Sequence, residues 1–158
     1  MTHERKTNGD RLPGTTRGYR FRADFAVADA GIETWGHTLE DIFTAAAEAT
    51  IEVMANERRP QEPLRTETIE LASDSLDLLL VRFLDEIIYR KDAERCFAEV
   101  ASLVITEDDG FQLAAKLQLK PLDGAAYDFR VDVKAVTLHR LSVERTGDVW
   151  RATFVLDV

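Results

Sequence analysis

The second half of this 158-residue chain leaves room for little besides β-strands. From Cys96 onward, short runs of β-branched and aromatic residues follow one another, separated by turn formers. Phe97 to Thr106 leads into Asp109-Gly110, a pair that tolerates the positive φ angles of a type I′ hairpin, and Phe111 to Leu119 reads as the returning strand. Tyr127 to Val136 and His139 to Glu144 come next. A turn at Thr146-Gly147-Asp148 precedes the last strand, Val149 to Val158. Successive hairpins pair antiparallel, and their apolar face needs a cover.

The first half supplies it. Thr38 is placed to cap a helix, with Glu40 and Asp41 at the positive end of its dipole. Leu39, Ile42, Phe43, Ala46, Thr50, Val53 and Met54 recur at helical spacing, and Asn56, Pro60 and Pro63 are expected to end the helix in a loop. A second helix is expected to start at Ser73 or Asp74, with Asp77 three residues after Asp74 as in a capping box. Its core face is Leu76, Leu79, Leu80, Phe83, Ile87 and Ile88. Leu78, Val81 and Leu84 widen that face, which predicts that this helix is the more deeply buried of the two. Tyr19, Phe21, Ala23 and Phe25 alternate with Arg20, Arg22 and Asp24 as in a half-buried strand. Gly31 to Gly36 reads as a short strand or a turn, and Arg65 to Leu71 as another strand. Residues 1–18 are polar, with Gly9, Pro13 and Gly14, and read as a disordered arm before a single domain at 19–158. The pattern predicts an α+β fold, two helices packed on an antiparallel or mixed sheet.

Charge narrows the possible functions. A formal net charge of −9 argues against high-affinity binding to nucleic-acid phosphates, although a local basic patch is compatible with it. No apolar run reaches the roughly 20 residues of a membrane span, and no signal-peptide core follows the N-terminal charges, so a cytoplasmic location is expected. Cys96 is the sole cysteine, which excludes an internal disulfide and a cysteine metal cluster.

Phosphate loops, dinucleotide fingerprints, paired-histidine metal motifs and nucleophile elbows are missing from the sequence. Of the histidines, His3 lies in the arm, His37 precedes the helix cap, and His139 falls in a strand region. Asp29 interrupts a small, apolar stretch, Ala26 to Gly31. Asp157 ends an apolar run and is followed by the α-carboxylate of Val158. Carboxylates gathered together repel unless a cation lies between them, and oxygen donors suit a hard divalent ion. Lys134 stands in the mostly apolar Val133-Lys134-Ala135-Val136. Taken alone, a turn aspartate, a solvated chain end and an outward lysine account for these positions more simply. Glu67, Glu70, Asp85 and Glu86 read as a solvated face.

Several of these segments resemble the archease family in order and spacing from Tyr19 to Val158. They are Ala28-Asp29-Ala30-Gly31-Ile32, Trp35-Gly36, Thr38-Leu39-Glu40, Phe83-Leu84-Asp85-Glu86, Val133-Lys134-Ala135-Val136-Thr137 with His139, and the ending Val155-Leu156-Asp157-Val158. The resemblance implies a non-catalytic activator of an RtcB-type RNA ligase, promoting its guanylylation and turnover in tRNA splicing or RNA repair. It also implies a divalent-metal site of Asp29, Asp157 and Val158, with calcium first and magnesium or manganese as alternatives. Lys134 and His139 are the implied ligase-facing residues. The chain departs from the family pattern at Phe25-Ala26-Val27, where Asp-His-Thr is usual, and at Leu138, where tyrosine is common. The competing readings are a metal-dependent hydrolase or nucleotide-binding enzyme, and a chaperone-like interaction module.

Overall fold

The computed structural model describes residues 17–22, 29–58, 61–122, 127–129 and 131–158. In chain order the elements are β1 (Gly18–Phe21), β2 (Ala30–Gly36), α1 (Leu39–Met54), β3 (Ala55–Arg58), β4 (Arg65–Ser73), α2 (Leu76–Glu94), β5 (Cys96–Glu107), β6 (Phe111–Pro121), β7 (Tyr127–Phe129), β8 (Ala135–Thr146) and β9 (Val149–Asp157). The α+β class holds. The strands form a four-stranded sheet ordered β1-β2-β9-β8, a three-stranded sheet ordered β4-β6-β5, and the pair β3-β7. Among the described residues every pairing is antiparallel, the first of the two expected arrangements.

The Thr38 hydroxyl accepts the Asp41 backbone N–H at 3.0 Å and caps α1 as expected. Ala45, Ala46, Ala47 and Ala49 are all buried, and such small side chains let one helix pack closely on two sheets. The helix touches β1, β2 and β9 on one side and β5 on the other. Ten of its 16 residues are buried, against eight of 19 in α2, so the predicted order of burial is reversed. Leu78, meant to widen the core face of α2, is exposed.

The ends of both helices also differ from expectation. Helix α1 gives way at Ala55 directly to β3, so Asn56 lies in a strand rather than a loop. The cap of α2 is Ser75, whose hydroxyl accepts the Leu78 N–H at 3.2 Å, while Ser73 still belongs to β4. Asp77 is thereby released from capping, and its carboxylate accepts the Val143 N–H of β8 at 2.9 Å. Glu40 of α1 accepts the Ile105 N–H of β5 at 3.0 Å in the same manner. Strands β5 and β8 are each the last of their sheets, so a carboxylate from each helix's first turn satisfies an N–H of an edge strand.

The aromatic centre of the core joins the layers, with Phe43 of α1 and Phe83 of α2 at a ring separation of 6.0 Å. Phe97 and Phe154 are fully buried alongside them. The β5–β6 hairpin turns through Asp109 (φ 51) and Gly110 (φ 105), using three loop residues, 108–110, rather than two. Tyr127 to Val136 is not one strand, because residues 131–134 lie outside any ladder. Here the buried Lys91 of α2 binds the Asp132 carboxylate and donates to the Val133 carbonyl at 2.7 Å, drawing the chain toward the helix. Conversely, His139 to Glu144 belongs to one longer strand, β8. The expected continuation of the first strand through Phe25, and the arm up to residue 16, lie outside the described residues.

Candidate functional site at the end of the four-stranded sheet

Register brings four of the five singled-out residues together. Strand β2 pairs with β9 so that Ala30 faces Leu156, and Asp29, the residue just before β2, stands next to that pair. Strand β8 pairs with β9 on the other side, with Ala135 facing Asp157. One step earlier, the Lys134 backbone N–H donates to the Asp157 carbonyl at 2.8 Å. Asp29, Lys134, Asp157 and Val158 therefore occupy one end of the sheet, on three adjacent strands or their immediate extensions. The two aspartates are half-buried and Lys134 is exposed.

Val158 packs against the core, which fixes the chain beyond Asp157. Among the described residues, no hydrogen bond or ion pair is formed by the carboxylate of either aspartate or by the Lys134 ammonium. Carboxylates near one another repel, and their oxygens are chemically suited to a hard divalent cation. Among the described residues, however, no group of three or more His, Cys, Asp or Glu side chains could by itself hold a metal ion.

His139 is not drawn into this group. It lies in a stretch where β8 leaves its ladder, and its N–H donates to the Thr137 hydroxyl at 3.2 Å. A recess of about 360 Å³ lined in part by Glu70, Val104, Thr106 and Gln112 lies on the three-stranded sheet and includes none of the five residues.

Sequence reasoning missed a charged cluster two rows further along the same sheet. Glu33 of β2 is only 6% exposed and receives Arg20 at 3.1 Å, Arg22 at 2.6 Å and Arg151 at 3.1 Å. Burial pushes its carboxyl up. Hydrogen bonds from Arg20 and Arg22 and their charges outweigh burial, holding it below the ordinary carboxylate range. The legible signal was a glutamate between Ile32 and Thr34 in a strand otherwise short of charge. Nor are Glu67 and Glu86 merely a solvated face: Glu86 accepts from the largely buried Arg90 at 2.5 Å and Glu67 at 3.1 Å.

The sequence matches the model of the Archease protein family (MTH1598/TM1083) over residues 19–158. The chain belongs to the archease family. A protein archease of Thermococcus gammatolerans is 33% identical over 133 residues, covering 83% of this chain and 93% of that protein. One from Pyrobaculum neutrophilum is 32% identical, over 83% of this chain and 90% of its own. The solution structure of Methanobacterium thermoautotrophicum protein 1598 superposes with a TM-score of 0.75 at 30% identity, covering 89% of this chain and 99% of that one. The archease fold is thus shared across nearly the whole domain. Among the described residues of this archease, no helix is long and apolar enough to cross a membrane.

Proposed function

We propose that this protein is a cytoplasmic accessory factor, not itself a catalyst, that activates an RtcB-type RNA ligase by promoting its guanylylation and turnover in tRNA splicing or RNA repair. Family membership supports the reading. The structural observation that carries it is the meeting of Asp29, Asp157 and Lys134 at one sheet end, from positions far apart in sequence. A divalent ion, calcium first and magnesium or manganese as alternatives, would be held by the Asp29 and Asp157 carboxylates together with Val158. Bound there, it would supply a fixed positive charge. Calcium takes about six to eight oxygen ligands, so these residues leave positions for water or for oxygens of the partner. Lys134 and His139 form the ligase-facing side of this reading. RNA is reached through the ligase, because a chain of net charge −9 is poorly suited to phosphate-driven binding.

The test is guanylylation of a cognate ligase with labelled GTP, with and without this protein. Acceleration is expected. An active ligase whose rate is unchanged overturns the reading. Calorimetric titration of Asp157→Asn with calcium and with manganese tests the metal separately, and affinity equal to that of the unsubstituted protein removes the metal assignment.

A further inference from the structure

Strand β1 is four residues long and lies at the edge of the four-stranded sheet, so only four rungs set its register on β2. So short a ladder specifies register weakly unless side chains fix it. One face of β1 is fixed by α1, where Tyr19 donates to the Glu52 carboxylate and Arg17, just before the strand, pairs with Glu48 at 2.8 Å. The other face is fixed by Glu33. Arg20 stands directly across from Glu33 and binds it at 3.1 Å, and Arg22 reaches it along the diagonal at 2.6 Å. A slip of one residue would turn Tyr19 away from α1 and Arg20 toward it. A slip of two keeps the faces, but it sets either Gly18 or Arg22 across from Glu33, and in the second case the carboxylate of Asp24 takes the diagonal. The observed register gives Glu33 both arginines with no second carboxylate beside them.

Arg22 also closes the ladder. Its backbone N–H donates to the Gly31 carbonyl at 2.7 Å, and Asp29 lies two residues before Gly31 in the chain. Through Arg22, Glu33 holds the place where β2 begins. On its other side Glu33 binds Arg151 of β9 at 3.1 Å, and β9 runs on to Asp157. A carboxylate that is 6% exposed costs solvation that an apolar strand residue would not, and setting register is the best-attested use of such buried charges.

We infer that Glu33 is a positioning residue: by binding Arg22 it holds the start of β2, and with it Asp29, at the sheet end shared with Asp157. The inference rests on the proposed cation site and deepens it. Four strand residues at about 3.3 Å each put Glu33 roughly 13 Å from Asp29, so it acts through the backbone and not by touching the ion.

The experiment uses the full chain and compares Glu33→Gln, Arg22→Met and Arg22→Lys with Glu67→Gln, which removes a partner of Arg90 at the three-stranded sheet. Without metal, hydrogen exchange at the residue-22 amide is expected to quicken about ten-fold relative to α1 amides in Glu33→Gln and Arg22→Met, and to keep its ratio in Glu67→Gln. Calcium and manganese, titrated calorimetrically well below each melting temperature, are expected to bind about ten-fold more weakly to the first two, as when the outer support of a metal ligand is removed. Arg22→Lys keeps a cation for Glu33 and is expected to recover part of that loss. If either the exchange ratio or the metal affinity is unchanged in Glu33→Gln, the inference is overturned and the proposed cation site stands. An equal loss of affinity in Glu67→Gln reduces the effect to general stability and overturns the inference as well. Absence of calcium and manganese binding in the unsubstituted protein overturns the cation site and the inference together.

Discussion

The backbone N–H of Lys134 donates to the carbonyl of Asp157 at 2.8 Å, so the entry to β8 and the end of β9 are held as one unit. Because Ala30 faces Leu156 on the other side of β9, the same unit includes the approach to Asp29. A change at either aspartate is therefore read at a shared sheet end.

Neutralising one carboxylate there should separate stability from metal response. Without metal, Asp29→Asn and Asp157→Asn relieve a like-charge repulsion and are expected to leave stability unchanged or raise it by up to about 1 kcal/mol. Adding calcium should raise the melting temperature of the unsubstituted protein, since a ligand that binds only the folded state stabilises it by mass action. Scanning calorimetry of the variants should show that rise reduced or lost.

Glu33 should govern acid sensitivity. Its carboxyl is held below the ordinary range when folded, so its contribution is complete above the unfolded value of about 4.3 and is lost as pH falls through the lower folded value. Glu33→Gln leaves Arg20, Arg22 and Arg151 without their shared anion and is expected to cost about 2 kcal/mol at neutral pH, since those arginines are partly solvated. Urea unfolding from pH 7 to pH 3 should show a shallower acid decline in the variant.

Lys91 is the pin that holds the entry to β8. Burial pushes its ammonium pKa down, but the hydrogen bonds it donates to the Asp132 and Asp92 carboxylates, with their charges, outweigh burial and raise it. Its contribution is thus present below the unfolded value of about 10.4 and is lost only as pH rises through the higher folded value. Lys91→Met keeps the bulk but leaves the Val133 carbonyl without this donor, at a cost of about 1–3 kcal/mol. Hydrogen exchange should report faster opening at the Lys134 amide than in α1.

Gly36 tests the junction between β2 and α1. A Cβ there would lie 2.5 Å from Asp41 Cβ, too close for a side-chain base that cannot swing away. Gly36→Ala is expected to destabilise the fold by about 1–3 kcal/mol, measured by chemical denaturation.

Much of the fold was legible because periodicity is a local property. The Thr38 cap, the Leu39 to Met54 stripe and the Asp109-Gly110 turn each follow from neighbours within a few residues. The α2 cap was misread by one or two residues because Ser73, Asp74 and Ser75 are all competent caps. The choice fell to Ser75 because β4 runs on to Ser73 in pairing with Phe111. The relative burial of the helices was misjudged for a related reason: apolar count favours α2, whereas contact with two sheets favours the alanine-rich α1.

By itself the sequence determined the α+β class, the two helices, the turns and the identity of the acidic and basic residues worth watching. Only the tertiary structure decided which of them share a place. Asp29 and Asp157 are 128 positions apart, and no local rule relates them; the antiparallel registers of β2, β9 and β8 do. The same holds for Glu33 and Arg151, and for Lys91 and Val133. Strand register is a long-range outcome of which apolar faces the helices cover, so the partners of a charged side chain emerge only when the whole sheet closes.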